Sequence, residues 1–294
     1  MVLRTLSSTA DPYIVVLDVE ADAVRALLFD SEARRVEGYS AQLPRRADAA
    51  ADCLDEMHRL VRAAGFRIAG VVGRAEREVS AEDRKLWPAF EGSAWFPALP
   101  EGAGAVLGSG CVGPSQFALV VGGTSPLGTV AESPVEALTC VPIDEKRWLL
   151  SGNVPEAGRA YSALKRELKL KGSLEEYLET AAADDPLLKG LSFVEGRFRE
   201  IYLALSGAVG AGQVVACGAA LLKSPAWTQR IANALGVPLT LCTEPEPAAR
   251  GAALWALEQV GAIGDVGALP ASMGAVVEAD YQSAAGCQPA PQTH

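Results

Sequence analysis

The stretch Tyr13–Asp30 reads Tyr-Ile-Val-Val-Leu-Asp-Val-Glu-Ala-Asp-Ala-Val-Arg-Ala-Leu-Leu-Phe-Asp. Two β-rich apolar runs, Ile14–Leu17 and Val24–Phe29, flank a small polar centre at Asp18–Ala23. The runs predict paired strands and the centre a hairpin turn. Asp18 is expected to end the first strand, where a tight turn exposes its carboxylate. One reading makes this only the first hairpin of a sheet, and the other turns it toward a ligand.

Working outward, the 294 residues suffice for one large domain or two ordinary ones. Hydrophobic residues make up 49% and charged residues 21%, the balance of a globular chain. A net charge of −10 disfavours nucleic acid or an anionic membrane as partner, because both reward a basic surface. No apolar run approaches the ~20 residues that cross a bilayer, and the first ten residues lack the apolar core of a signal peptide. Cysteines at 53, 111, 140, 217, 242 and 287 show no Cys-x-x-Cys spacing and sit mostly among apolar or glycine neighbours. Buried thiols in a reducing cytoplasm are the expectation. His58, one of two histidines, falls in an amphipathic helical pattern and reads as a helix-surface residue.

Past the hairpin, Arg35–Leu43 predicts a third strand, Asp48–Ala64 a helix closed by Gly65, and Ile68–Val72 a short buried strand. Gly73–Lys85 reads as a surface connection or a short helix. Leu86–Pro100, with Trp87-Pro88 and Trp95-Phe96-Pro97, is not expected to form a regular element. Gly102–Gly110 is a run of small residues that permits close packing or close approach to a ligand. Phe117–Val121, Gly122–Gly128 and the extended chain from Val130 then repeat the order strand, Gly-rich turn, strand. Arg147–Leu150 is a further strand, followed by helical patterns at Glu156–Leu170, Ser173–Ala182 and Val194–Leu205. Gln213–Ala216 and Val237–Cys242 read as strands, and Pro225–Leu235 and Pro247–Val260 as helices. From Gly261 the composition suggests a flexible tail.

Four stretches carry a more specific resemblance. They are Asp18–Asp30, Gly102–Leu127 with its Gly123-Thr124-Ser125, Asp144–Gly158 with Arg147-Trp148-Leu149, and Val214–Leu257. The last holds Ala216-Cys217-Gly218-Ala219-Ala220, then Ser224-Pro225, Trp227, Gln229, Gly236, Pro238, Glu244-Pro245-Glu246 and Arg250-Gly251-Ala252-Ala253, a long ordered set. Together they resemble the FGGY carbohydrate kinases, most closely the gluconokinase-like members.

The resemblance implies an α/β, duplicated actin-like or ribonuclease H-like fold with a reduced first domain. It implies an N-terminal extension over 1–11, domains over 12–115 and 116–261, and a flexible tail over 262–294. It also implies ATP or ADP with Mg2+ as cofactors. Gly123, Thr124 and Ser125 would hold phosphate, and Gly218, Ala219, Ala220, Ser224 and Gln229 would lie at the adenosine, where longer side chains would collide with the rings. Asp18 would hold magnesium through water, and Glu101 would stand where the family has its catalytic aspartate.

Against that pattern the chain departs in three places. The family's first turn, Asp-x-Gly-Thr-Ser, is here Asp18-Val19-Glu20-Ala21-Asp22. A carboxylate ~4 Å from a phosphate oxygen costs about 4 kcal/mol at an effective dielectric near 20. Glu101 carries one more methylene than aspartate, and a misplacement of about an ångström can cost about a hundredfold in rate. It reads equally as a solvated loop carboxylate. Finally, the family's Trp-x-Asp-x-Arg sugar segment has no counterpart. Three functions stand open: a non-catalytic relative that keeps adenine nucleotide binding, a compact sugar or sugar-acid kinase using Glu101, and an interaction module without nucleotide. A homo-oligomer or protein partner is compatible with each.

Overall fold

A computed structural model describes residues 11–20, 22–73, 79–122, 125–168, 174–182 and 185–280. The expected extension up to residue 10, Ala21, Gly123, Thr124 and the tail from 281 to 294 lie outside the described residues. In chain order the elements are β1 (Tyr13–Val19), β2 (Ala23–Phe29), β3 (Arg35–Pro44), α1 (Ala49–Ala64), β4 (Ile68–Val72), α2 (Ala81–Leu86), β5 (Ala94–Phe96) and α3 (Ala103–Gly108). Next come β6 (Gln116–Val120), β7 (Pro126–Ala131), β8 (Cys140–Pro142), β9 (Trp148–Asn153), α4 (Ala157–Glu167), α5 (Leu174–Thr180) and α6 (Lys189–Val209). The chain closes with β10 (Gln213–Cys217), α7 (Ala219–Lys223), α8 (Pro225–Leu235), β11 (Leu239–Cys242), α9 (Pro247–Gln259) and β12 (Met273–Val277). Two compact units result, Met1–Gly110 with Glu246–Pro270, and Cys111–Pro245 with Ala271–His294.

In the first unit a five-stranded sheet runs β3-β2-β1-β4-β5. The first three strands form an antiparallel meander, and β4 and β5 run parallel to β1. β1 is apolar without alternation because both faces are covered. Tyr13, Val15 and Leu17 join the core built with Cys53, Leu54, Met57 and Val61 of α1. Ile14 and Val16, on the opposite face, are 0% and 2% exposed, and α9 lies against β1 and β4. Gly65 ends α1 in the left-handed conformation, as the sequence predicts. Asp30 turns β2 into β3, its carboxylate accepting from the backbone N–H of Glu32 and Arg34, each at 2.9 Å.

One expectation fails here, and of two readings left open the packing one holds. Leu86–Pro100, read as irregular, contributes β5, in which Trp95 pairs with Val71 of β4. The small residues at Gly102–Gly110 form α3, packed against α9 with no room for a single methyl. A Cβ at Gly108 would lie 1.7 Å from the Pro247 carbonyl oxygen, and one at Gly251 would lie 1.9 Å from that of Gly104. Close helix packing, rather than ligand approach, is what these glycines serve in the folded chain.

A seven-stranded sheet, β12-β11-β10-β6-β7-β9-β8, organises the second unit. Its inner five strands, β9-β7-β6-β10-β11, repeat the topology of the first sheet, with three antiparallel strands followed by two parallel to the first of them. The duplication is therefore visible in strand order and direction. Phe117, Leu119, Val214 and Ala216 pack with Phe198 and Tyr202 of α6 and with Trp227 and Ile231 of α8 in its core.

The unit boundaries differ from the expected ones. Residues from Glu246 through α9 follow β11 in sequence but pack in the first unit, because the apolar surface of α9 covers β1, β4 and α3 there. The expected flexible tail is ordered as far as residue 280, since it contains the 3-10 turn Val266–Ala268 and the strand β12, which pairs with β11.

Candidate functional site

The first hairpin pairs Val19 with Val24 and therefore sets Arg25 of β2 directly opposite Asp18 of β1. Asp18 thus lies within the strand rather than at its exposed end. The Arg25 guanidinium bonds the Asp18 carboxylate through Nη2, reaches Glu20 at 2.8 Å, and contacts Glu246 through Nη1 at 2.9 Å. Arg35 adds a second contact to Glu246 at 3.4 Å. The Arg25 side chain is 17% exposed, so this is a partly buried network. Burial works to lower the Arg25 pKa, but the hydrogen bond and charge of Asp18, followed by those of Glu246, outweigh it and hold the guanidinium above its ordinary value.

This geometry bears on the magnesium implied by the resemblance. Hard cations take carboxylate and water oxygens, and Asp18 with Glu20 offers such oxygens. The Arg25 guanidinium, a cation tethered to the chain, already occupies oxygens of both. As folded, the pair does not fit a metal. Among the described residues, no group of three or more His, Cys, Asp or Glu side chains is arranged to hold a metal ion.

Glu101 is exposed and stands immediately before Gly102, whose φ of 83° starts α3. It belongs to the first unit, as do Asp18 and Arg25. In the second unit Gly123 and Thr124 fall outside the described residues, while Ser125 is defined in detail. It has a φ of 45° and no exposed surface, and its hydroxyl donates to the Gly122 carbonyl at 3.0 Å and accepts from the Gly122 N–H at 3.2 Å. That hydroxyl closes the turn upon itself, so using it on a phosphate would first break these bonds.

The C-terminal block shows why its identities are specific. Gly218 has a φ of 108°, and a Cβ there would lie 2.2 Å from the Val121 carbonyl oxygen. The glycine is required by the close approach of two backbones, whether or not a ligand lies beyond them. Ala219 is exposed and Ala220 half-buried at the start of α7. Ser224 is fully buried and caps α8, and its hydroxyl also bonds the carboxylate of Glu175 from α5. Gln229 donates to Asn233 at 2.8 Å and to the Glu278 carbonyl at 2.7 Å. Ser224 and Gln229 are thus brought into structural bonds, and Gly218, Ala219 and Ala220 remain together at the exit of β10.

Sequence reasoning missed Arg25 and Glu175 and gave no role to Glu246 and Arg250. Arg25 was legible through hairpin register, which fixes its partner once the turn is placed. Arg250, 4% exposed, bonds the carbonyls of Gly108, Leu269 and Pro270. Glu175, which also accepts from the Ala226 N–H at 2.9 Å, carries no local signal because its partners lie some fifty residues away. In the third resembling stretch, Arg147 is buried and bonds Asp144 at 2.6 Å, which closes the β8–β9 turn.

Two units built on one repeated sheet order define the actin-like, ribonuclease H-like fold of the sugar kinases, and the chain has that fold. It is similar to a xylulose kinase from Lactobacillus acidophilus, with a TM-score of 0.72 and 13% identity over 94% of this chain and 95% of that one. A gluconate kinase from the same organism gives 0.71 and 12% over the same shares. The glycerol kinase of Plasmodium falciparum, solved with ADP, gives 0.65 and 9% over 94% of this chain and 96% of that one. No protein-family model and no curated protein sequence matches the chain.

Proposed function

We propose that this chain is a non-catalytic sugar-kinase-like protein that binds an adenine nucleotide and does not transfer its phosphoryl group to a sugar. The observation that carries this reading is the capture of Asp18, Glu20 and Glu246 by Arg25. Phosphoryl transfer needs metal ions to bridge the phosphates and neutralise developing charge. Here the carboxylate that would serve the metal is neutralised internally, and the Ser125 hydroxyl is committed to its own turn. Support for nucleotide binding is the glycine-bearing strand exit at Gly218–Ala220, which leaves Ala219 exposed, together with the ADP held by a glycerol kinase of the same fold.

The chain's own residues therefore do limited work in this reading. The β10 exit presents small side chains to the flat face of a base, and Arg25 keeps the first hairpin ordered without a metal. The five cysteines among the described residues form no disulfide, which suits a reducing compartment, and we assign the chain to the cytoplasm. No helix among the described residues is long and apolar enough to cross a membrane.

Calorimetric titration with ADP, run with and without Mg2+, tests the proposal. Saturable binding of similar affinity in both conditions is expected. Absence of any heat of binding would refute the nucleotide site and leave the interaction module. Binding that requires Mg2+ would show that the Asp18–Arg25 pair opens, and would favour the compact kinase using Glu101.

A further inference from the structure

In the first unit β1, β4 and β5 run parallel, so their starts lie together at the end of the sheet opposite the first hairpin turn. A cavity of about 620 Å³ opens within that unit, with Pro12, Arg67, Ile68, Glu91, Val260 and Ala262 in its wall. Its volume is that of a small-molecule site, and it shares no residue with the proposed nucleotide site. The backbone around it is fixed. The Tyr13 N–H donates to the Arg67 carbonyl at 3.0 Å, the Ser93 hydroxyl to the Ile68 carbonyl at 2.8 Å, and the Glu91 N–H to the Pro88 carbonyl at 3.2 Å.

Both signs of charge meet in this wall. Arg67 immediately precedes β4, and Glu91 precedes β5 across the short turn that holds Ser93. Both residues are exposed, and neither forms an ion pair among the described residues. Val260 caps the C-terminal end of α9, where aligned carbonyl dipoles leave partial negative charge, and no basic side chain stands in the last turn to offset it. The cavity therefore presents an unpaired guanidinium, an unpaired carboxylate and a negative helix end, together with the apolar surfaces of Pro12, Ile68 and Val260.

That set of groups selects a ligand by its charges. A phosphate would gain Arg67 but meet a carboxylate and a helix end of its own sign. A simple cation would gain Glu91 and the helix end but meet Arg67. A molecule that carries both charges on a small apolar body satisfies every group. We propose that this cavity binds a small zwitterion of the α-amino acid class. Its carboxylate accepts paired N–H bonds from Arg67, its ammonium is held by Glu91 and the end of α9, and its side chain lies on the apolar wall.

Calorimetric titration of the full chain with L-leucine, L-valine and L-proline at millimolar concentrations tests this. Saturable binding of at least one is expected, with inorganic phosphate and putrescine, which carry one sign of charge each, failing to displace it. The methyl ester and the N-acetyl form of the amino acid that binds should each be weaker by about tenfold or more, since each loses one charged contact. Arg67→Ala and Glu91→Gln should weaken binding to a similar degree with an unchanged melting temperature, because both positions are exposed, and should leave the titration with ADP as it is in the wild type. Absence of binding by all three amino acids would overturn the proposal. So would binding that both folded variants keep at wild-type affinity, or displacement by phosphate or putrescine.

Discussion

Arg25 and Asp18 face each other across the first hairpin, and the guanidinium of one is bonded to the carboxylate of the other while extending to Glu246 at 2.9 Å. A cation has thus been built into the chain beside the acidic group that the resemblance assigns to a metal. The pair ties the first hairpin into an ion-paired clasp.

Replacing the clasp exposes its cost. Arg25→Met leaves Asp18, Glu20 and Glu246 without their shared counter-charge, and stability should fall by about 2 kcal/mol, below the value for a fully buried pair because solvent reaches this one. The freed carboxylates should then accept a divalent cation. Thermal melts with and without MgCl2 check both parts: magnesium should raise the melting temperature of the variant and leave the wild type unmoved. An equal rise in the two would remove the clasp from the account.

At the exit of β10, Gly218→Ala should be severely destabilising irrespective of nucleotide. The added methyl would meet the Val121 oxygen at 2.2 Å on a backbone with φ of 108°. A loss of about 3 kcal/mol or more is expected, combining strain with overpacking. Urea denaturation measures it, and a near-neutral result would show that the two backbones separate easily.

Glu175 and Ser224 cap α8 together, the carboxylate meeting the Ser224 hydroxyl and the Ala226 N–H. Either Glu175→Ala or Ser224→Ala should cost about 1–2 kcal/mol. The double variant should cost clearly less than the sum, because the two share one hydrogen-bonded unit. Additive losses from chemical denaturation would mean that they act separately.

His58 gives the chain a pH-dependent element. Its Nδ1 accepts from the Ala89 N–H at 3.2 Å, which requires the neutral ring. Burial, followed by the charge of Arg62, lowers its pKa below the ordinary 6.5, with Asp55 opposing. A depressed folded-state pKa means that protons bind the unfolded chain more readily. The bond's contribution is present above pH 6.5 and is lost as pH falls through the folded value. The stability gap between wild type and His58→Leu should therefore narrow on acidification, and a gap that stays constant or widens would contradict this assignment.

What could be read in advance follows from how local each signal is. The β1–β2 hairpin, α1 with Gly65, β4 and α8 were legible because their periodicity and caps lie within the element. α3 was not, since six buried residues of the Ala103–Gly108 run carry no hydrophobic contrast. β5 was hidden in an aromatic and proline-rich stretch, and its pairing with β4 is a tertiary fact. The place of α9 in the first unit depends on which sheet its apolar surface covers, and chain order pointed to the other. At the candidate site the altered first turn was visible as Glu20 and Asp22 in sequence. What those acids do depended on Arg25 and Glu246, the latter 221 residues from Arg25.

A kinase fold carrying this clasp either transfers phosphate or does not. Coupled detection of ADP release from ATP–Mg, with gluconate, xylulose, glycerol and related polyols as acceptors, measures it directly. Wild-type protein should show no acceptor-dependent turnover. Acceptor-dependent ADP release that Glu101→Gln abolishes would contradict the account and establish a working kinase.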